Sequence, residues 1–371
     1  TGHISEQIRM TQQIIDNGYG YVVNGTVYFD VEKYNKEQPY GILTNRKLED
    51  LQEGTRELGG QDEKKGRLDF ALWIKAGAEH LMQWPSPWGM GFPGWHIECS
   101  AMSEKYLGKQ FDIHGGGMDL AATHHTNEIA QSQACYHTTP ARYWLHTNML
   151  TVNGVRMSKT AGNGFLPEEL FNGSHALLEK AYSPMTVRFF MLQTHYRSTL
   201  DFSNEALQAS EKGLKRLWEG YENLNKLKVE DPDSGMDPQL EAKIKKLLDE
   251  FDDFMNDDFS TAKVLANMFE IVPVINSMKD KTIPVSALSP ATLELLRSKF
   301  KSWMEEVLGL KNSSETDNPQ LQGVIQLLID IRKEAKSKKD FATSDKIRNQ
   351  LAALGITLKD EKGGEMSWSS E

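Results

Sequence analysis

Residues 95–128 read WHIECSAMSEKYLGKQFDIHGGGMDLAATHHTNE and carry most of the chemistry that this sequence displays. Among the side chains in the stretch that can bind a metal, we single out three: Cys99, His124 and Glu128. His124 and Glu128 are four residues apart, which on a helix puts both on one face about a turn apart. Cys99 must approach them from a neighbouring element. A sulfur, an imidazole nitrogen and a carboxylate oxygen form a donor set that suits zinc.

Ordinary structural roles also fit these three residues taken alone. A lone cysteine is usually a small buried hydrophobic residue, and a His-x-x-x-Glu pair is usually a solvated helix face. The neighbouring glycines favour a binding site instead. Residues 115–117, Gly-Gly-Gly after His114, predict a strand end that runs into a turn where the backbone approaches a ligand closely. With Asp119 and a helix start behind them, they match the nucleotide sites that open α/β sheets build at their carboxyl edge.

The sequence around these residues alternates between helix and strand. Helices are predicted at 97–106 and 124–136, and strands at 111–114 and 143–149. This alternation is typical of the second half of a doubly wound sheet.

Shorter elements are predicted ahead of it. The chain opens with a helix that ends near Asn17-Gly18, and Asn24-Gly25 predicts a hairpin with a type I′ turn. Residues 70–74 predict a short apolar strand. Residues 84–94 are dense in Trp, Pro and Gly and predict a rigid loop rather than a helix.

A second group of functional residues follows the predicted sheet, in the segment Val155-Arg156-Met157-Ser158-Lys159-Thr160-Ala161-Gly162-Asn163. Phosphoryl and nucleotidyl transfer need positive charge where negative charge accumulates on the phosphates. A mobile loop that carries Lys159 and Arg156 can supply it. Taken alone, the segment also fits an ordinary exposed loop.

Together these blocks resemble the cysteinyl-tRNA synthetases, a family of class I aminoacyl-tRNA synthetases. The resemblance rests on 93–102 (PGWHIECSAM), 114–120 (HGGGMDL), 124–132 (HHTNEIAQS) and the loop, which is similar to Lys-Met-Ser-Lys-Ser. In that loop Arg156 replaces the first Lys and Thr160 the last Ser. Nearly the whole chain is covered, and the resemblance thins only through roughly 226–320.

The resemblance implies an ATP-dependent ligase that activates L-cysteine to cysteinyl-AMP and transfers it to tRNA(Cys). Cys99, His124 and Glu128 would bind one zinc ion, which selects the substrate thiolate. Lys159, Arg156 and Ser158 would act in catalysis. The residues expected to bind ATP, which arrives with Mg²⁺, are Gly116, Gly117, Asp119, Lys159, Trp95 and His114. We expect a cytoplasmic monomer that has no membrane partner.

Two features of the family do not occur here: an early zinc-ligating cysteine and a His-Ile-Gly-His-type ATP motif. We therefore expect that an N-terminal portion of the catalytic domain precedes Thr1 and supplies the fourth zinc ligand. The other cysteine, Cys135, does not match that ligand.

The implied fold is an α/β catalytic domain, the second half of a Rossmann-like sheet with a connective insertion. An all-α helical bundle and a small C-terminal α/β module follow it. The predicted domains are the end of the first catalytic half with the insertion (1–91), the second catalytic half (92–150), the loop and a stem-contact segment (151–203), the tRNA-binding bundle (204–310) and an anticodon-side module (319–371).

Composition limits the possible classes only broadly. The chain of 371 residues is long enough for two or three domains, and its two cysteines suit a reducing compartment rather than a disulfide scaffold. No apolar run approaches the roughly 18 residues of a membrane span. The net charge of -10 gives no support for RNA binding. A basic cluster in the tail predicts an RNA-facing patch all the same; it comprises Arg332, Lys333, Lys336, Lys338, Lys339, Lys346 and Arg348.

Three other functions remain open from the residues. A ligase of the same fold could join cysteine to an amino sugar, although the long helical C-terminal half argues against it. A zinc hydrolase could use His124 and Glu128, which the Arg156–Lys159 loop disfavours. A catalytically incomplete tRNA-binding fragment is the third.

Overall fold

The computed structural model describes residues 1–45, 63–228, 235–312, 319–360 and 366–370. The chain divides into two compact units. The first comprises Thr1–Gly164 and Thr194–Ser203, and the second comprises Phe165–Gln193 and Asn204–Glu371.

The first unit opens with helix α1 (Ile4–Asp16) and a hairpin of β1 (Gly20–Val23) and β2 (Thr26–Phe29). The turn residues Asn24 and Gly25 have φ of 52° and 88°. Positive φ at both central residues is what a type I′ turn requires, so this part of the prediction is confirmed. Helix α2 (Val31–Glu37) follows, with the Asp30 side chain accepting a hydrogen bond from the Lys33 amide as its N-cap.

An antiparallel sheet of five strands continues the hairpin, in the order β1-β2-β3-β5-β4. Its further strands are β3 (Phe70–Lys75), β4 (Trp84–Ser86) and β5 (Gly89–Pro93). The prediction of a rigid loop at 84–94 is therefore wrong, because these residues form the β4–β5 hairpin. Pro85 is tolerated there since β4 is the edge strand, where a missing N–H breaks no ladder.

A βαβ arrangement follows and carries residues 95–128. Its elements are α3 (Trp95–Leu107), β6 (Phe111–Gly117), α4 (Met118–Ala121), α5 (His124–Tyr136) and β7 (Ala141–Thr147). Strands β6 and β7 are parallel, with Gly116 opposite His146. The predicted alternation is confirmed. The three glycines, expected in a turn, instead form the last residues of β6.

A small sheet closes the first unit, in the order β10-β8-β9. Strand β8 (Leu150–Val152) is antiparallel to β9 (Val155–Arg156) and parallel to β10 (Leu200–Phe202). The turn between β8 and β9 again has two residues of positive φ, Asn153 and Gly154. Strand β9 is followed directly by the segment that ends at Asn163.

The core of the first unit joins the five-stranded sheet to three of the helices. Met10 and Ile14 of α1, Ile97 of α3 and Ala130 of α5 are buried with Leu72 of the sheet. Burial of apolar surface in this cluster fixes the facing positions of α3 and α5, which carry the candidate metal ligands.

The second unit is mainly helical. Its helices before residue 310 are α6 (Pro167–Asn172), α7 (Pro184–Leu192), α8 (Asn204–Lys226), α9 (Pro238–Asn256), α10 (Thr261–Lys279) and α11 (Pro290–Ser302). Ser183, Asp237 and Ser289 are N-cap residues, each followed by proline at the start of its helix. Amphipathic faces of α8, α9, α10 and α11 meet in one apolar core.

The C-terminal part of the second unit contains α12 (Pro319–Ser337), α13 (Phe341–Ala353) and the hairpin of β11 (Ile356–Asp360) and β12 (Met366–Ser370). Arg332 is only 2% exposed. Its assignment to an RNA-facing patch is therefore wrong, because the one-dimensional charge count cannot distinguish the buried face of α12 from the exposed one. Within the described ranges, none of the helices has the length and hydropathy needed to cross a bilayer.

Candidate active site

Helix α5 positions two of the three candidate metal ligands, and it is unusual in being closed to solvent on nearly every side. All but Gln133 and Tyr136 of its 13 residues are buried. Both His124 and Glu128 lie on it, one turn apart. Cys99 lies on α3, which packs against α5. One donor atom from each of the three residues lies within 4.8 Å of the other two. The structure therefore brings together the three side chains that the sequence singled out.

The Glu128 carboxylate is the centre of this cluster. The residue is 2% exposed, and neither of its oxygens has a hydrogen bond of good geometry. Each oxygen instead faces a histidine: Oε1 is 3.1 Å from Nε2 of His124, and Oε2 is 3.0 Å from Nε2 of His114. An ionised carboxylate is costly to bury unless a cation or proton donors compensate it. A buried carboxylate without proper donors, beside a thiol and an imidazole, fits a divalent cation, and the donor types fit zinc.

His96 fixes the orientation of the His124 ring. The two Nδ1 atoms are 2.9 Å apart, and one of them must donate. Burial and the neighbouring His124 lower the pKa of His96 to about 4, so His96 is neutral at physiological pH. In either tautomer this hydrogen bond holds the His124 ring in place. A metal-binding histidine is typically held in this way through its other nitrogen.

A second histidine group lies on the other side of the same carboxylate. One donor atom each from His114, His125 and Glu128 again lies within 4.8 Å of the others. Nδ1 of His125 is 2.8 Å from Nε2 of His146 on β7. Burial is the main cause that lowers the pKa of His125 to about 4, and it also lowers the pKa of His146. These two histidines were not among the predicted site residues.

The thiol of Cys99 is protonated in these surroundings. Burial raises its pKa to about 11, and the negative charge of Glu128 contributes in the same direction. A bound divalent cation would reverse this balance, because a coordinating thiol is deprotonated outright. The predicted residue Trp95 borders the cluster: its ring centroid lies 4.4 Å from that of His124, and the residue is 60% exposed.

The residues predicted to hold adenosine lie at the end of β6 and the start of α4. A Cβ on Gly116 would lie 2.6 Å from Cε1 of His125, and a Cβ on Gly117 would lie 2.4 Å from Oδ1 of Asp119. The need for glycine at 116 is therefore explained by the His125 ring. Asp119 is exposed in the first turn of α4.

The loop that follows β9 carries the predicted catalytic residues. The side chains of Arg156 and Lys159 are exposed, and Ser158 is half-buried. The Ser158 amide donates a hydrogen bond to the side chain of Asn163, and the Ser158 hydroxyl accepts one from the Ala161 amide. The loop is thus held by side-chain hydrogen bonds.

Comparison with known proteins assigns the sequence of this chain to a family. Residues 1–212 match the model described as the tRNA synthetases class I (C) catalytic domain, and residues 250–312 match the DALR domain. The cysteine–tRNA ligase of Parabacteroides distasonis is 49% identical over 369 residues, which are 98% of this chain and 73% of that protein. The chain belongs to the cysteine–tRNA ligase family. The ligase of Bacteroides thetaiotaomicron is 50% identical over 367 residues (98% and 73%), and that of Deinococcus radiodurans is 42% identical over 371 residues (98% and 71%).

Membership of the cysteine–tRNA ligases confirms the resemblance seen in the sequence. It also confirms the predicted fold class, an α/β class I catalytic domain followed by a helical domain. The ligase family implies the use of ATP. The roles of the individual site residues stay predictions.

Cys135 lies apart from the candidate centre of this cysteine–tRNA ligase chain. It is buried with Met10 and Ile14 in the apolar core of the first unit. In the part of the chain that the structure describes, it belongs to neither of the two groups of potential metal donors. That Cys135 does not match the family's fourth zinc ligand stays a prediction.

Proposed function

We propose that this chain serves the ATP-dependent joining of L-cysteine to tRNA(Cys), and that Cys99, His124 and Glu128 hold one zinc ion. The observation that carries the metal assignment is the buried Glu128 carboxylate, which has a thiol and an imidazole beside it and no well-formed hydrogen bond. When bound, zinc acts as a Lewis acid that stabilises a thiolate ligand and binds a serine hydroxyl poorly.

The chain's own residues prepare this selection. His96 holds the His124 ring in place, and Glu128 contributes negative charge in a site that excludes water. Trp95 forms a partly exposed wall over His124. A cysteine thiol is therefore distinguished from a serine hydroxyl by its ability to bind the metal as a thiolate, and no second editing site is needed.

The adenylation step requires a different part of the site. The cysteine carboxylate attacks the α-phosphate of ATP, a new C–O–P linkage forms, and pyrophosphate leaves with its Mg²⁺. We assign Lys159, Arg156 and Ser158 to the phosphates, where positive charge and a hydroxyl donor stabilise the developing negative charge. Gly116, Gly117, Asp119 and His114 are assigned to the adenosine side.

The acyl group then passes to the tRNA. A hydroxyl at the 3′ end attacks the cysteinyl carbonyl, and AMP is released. The helical second unit is assigned to tRNA binding, which its DALR match supports. We further propose that the protein is a monomer and that it works in the cytoplasm, where the free cysteines Cys99 and Cys135 stay reduced.

Cobalt(II) titration tests the metal assignment. A cobalt ion bound through Cys99 should give thiolate-to-metal charge-transfer absorption, which Cys99→Ala should abolish and the matched control Cys135→Ala should retain. Added L-cysteine should increase the absorption, and added L-serine should not. Absorption that survives Cys99→Ala, or an equal response to serine, would contradict the assignment.

A charging assay tests the acceptor. Labelled cysteine should become acid-precipitable with tRNA(Cys), and an amino sugar should not accept it. Transfer to the sugar with no transfer to tRNA would favour the ligase of small molecules instead.

A further inference from the structure

The segment that carries Arg156, Ser158 and Lys159 is folded around one side chain, that of Asn163. Asn163 is 9% exposed, although the loop around it is open to solvent. Its Oδ1 accepts a hydrogen bond of 2.9 Å from the Ser158 amide. Its Nδ2 donates to the carbonyl oxygens of Arg156 at 3.1 Å and Val155 at 3.4 Å. The carbonyl oxygen and the NH2 group of the Asn163 side chain therefore both form hydrogen bonds with the backbone of the same loop.

Hydrogen bonds within the loop complete this arrangement. The Ala161 amide donates to Oγ of Ser158 at 3.1 Å, and the Gly162 amide donates to the Lys159 carbonyl at 3.2 Å. Gly162 has φ of +63°, in the left-handed region that favours glycine. These contacts turn the chain back on itself after β9, so that the Asn163 side chain links the backbone of Val155, Arg156 and Ser158.

We propose that Asn163 is a positioning residue, which sets the conformation of the Arg156–Lys159 loop without touching substrate. Its chemistry suits no close substitute. Aspartate keeps the acceptor for Ser158 but brings a carboxylate against two carbonyl oxygens, and alanine removes all three hydrogen bonds. The link to adenylate formation rests on the proposed role of Lys159; the link to loop order does not.

Limited digestion with trypsin tests loop order directly, because trypsin cleaves after Arg156 and after Lys159. In Asn163→Ala, cleavage at these two bonds should accelerate about 5–30-fold, since the loop opens more often. Asn163→Asp should behave similarly and serves as a second variant if the alanine protein folds poorly. Cleavage after Lys109, outside the loop, is the internal control, and thermal melting shows that each variant is folded.

Asn153→Gly is the matched control variant. Asn153 is an exposed asparagine in the β8–β9 turn with φ of 50°, so glycine removes the amide without straining the backbone. Its cleavage pattern should equal that of the wild type. Unchanged cleavage after Arg156 and Lys159 in folded Asn163→Ala would overturn the proposal.

Cysteine-dependent pyrophosphate exchange separates this proposal from the proposed function. Asn163→Ala should lower the maximal exchange rate about 5–30-fold and leave the KM for cysteine unchanged, as a displaced loop would. A purely structural role would not produce that separation of rate from KM. If Lys159→Ala leaves exchange unaffected, the proposed role of Lys159 fails while the digestion result still decides the role of Asn163 in loop order.

Discussion

Lys159 is an exposed side chain whose proposed function depends on charge alone. Its ammonium should act chiefly on the transition state of adenylate formation, where negative charge grows on the phosphates. In a full-length enzyme, Lys159→Ala should therefore lower the rate of cysteine-dependent pyrophosphate exchange by about 10²–10³-fold and change cysteine affinity much less. Exchange kinetics at varied cysteine concentrations measure both quantities.

The control for this variant is Lys109→Ala, which removes an exposed lysine of the same unit outside the loop. Its exchange rate should match the wild type. An unchanged rate in Lys159→Ala would contradict the assignment of this residue to the phosphates.

The residues whose chemistry is distinctive could be predicted from the sequence. Cys99, His124 and Glu128 were identifiable because a helical spacing of four and a donor set for zinc can be read from one dimension. His146 was missed because it is brought to His125 by the parallel pairing of β6 with β7, which sets Gly116 opposite it. No local pattern records that register.

The glycines of strand β6 differ in how much space surrounds them. Gly116→Ala would bring Cβ within 2.6 Å of the buried His125 ring, whereas Gly115→Ala would meet its nearest atom at 3.6 Å. His125 is held by His146 and has little room to move, so we expect Gly116→Ala to lower the free energy of unfolding by about 1–3 kcal/mol. Gly115→Ala should change it by less than about 0.5 kcal/mol. Urea denaturation compares the two, and equal effects would argue against the His125 contact as the cause.

The start of α11 is hydrogen-bonded to the carboxylate of Glu241 on α9. Burial opposes its ionisation, but hydrogen bonds from Thr292, Lys245 and Ser289 outweigh burial and lower its pKa to about 2. The amide and hydroxyl of Ser289 lie 3.0 and 2.8 Å from its oxygens. Because the folded pKa is below the unfolded value near 4.5, the stabilisation is complete above that pH and is lost as pH falls towards 2.

Glu241→Gln should therefore lower the free energy of unfolding by about 1–3 kcal/mol at neutral pH. The difference from the wild type should shrink as the pH is lowered from about 4.5 towards 2, and urea denaturation at several pH values measures it. Glu270→Gln, in an exposed pair with Lys243, is the control and should have a small effect at every pH. A pH-independent difference for Glu241→Gln would contradict the linkage.

Helices and hairpins were easier to predict from sequence than the extent of the sheets. The alternation of helix and strand placed α5 correctly, and Asn24-Gly25 placed the first turn. The β4–β5 hairpin was missed because its proline and glycines suggested a loop. Gly91 is required there since a Cβ would lie 2.3 Å from Nε1 of Trp73, a contact between strands that sequence cannot display.

The C-terminal residues 319–360 and 366–370 of the second unit comprise α12, α13 and the β11–β12 hairpin. Among the residues that the structure describes, the large apolar core of the second unit extends to Leu310 and includes none from 319 onward. Apart from buried Arg332, the lysines and arginine of the predicted basic cluster are exposed or half-buried. We expect that deletion of 319–371 from a complete enzyme leaves cysteine-dependent pyrophosphate exchange nearly intact and weakens tRNA binding.

Salt dependence distinguishes the cause of that weakening. Each lost phosphate contact should flatten the plot of log affinity against log salt by about 0.7–0.9. Filter binding of tRNA(Cys) over a range of salt concentrations measures the slope. An unchanged slope would show that these side chains are solvated, and loss of exchange would show that the tail supports the catalytic unit.

The division of the molecule was the least accessible feature of the sequence. The predicted segment 151–203 is shared between the two compact units, since residues up to Gly164 and Thr194–Ser203 belong to the first and Phe165–Gln193 to the second. Strand β10 joins the first unit by pairing in parallel with β8, about fifty positions earlier in the chain. Such a return has no local signature in composition, and the functional domain boundaries stay predictions.

Helix α5 has a consequence for the timescales on which the site works. Because nearly all of its residues are buried, deuterium reaches their amides only when a large part of the first unit opens, an event that is rare in a stable domain. The separation between His124 and Glu128 is therefore preserved through many turnovers. Exposed loop segments rearrange in nanoseconds to microseconds. We therefore expect the donor cluster to open far more rarely than the exposed side chains of Arg156 and Lys159 rearrange.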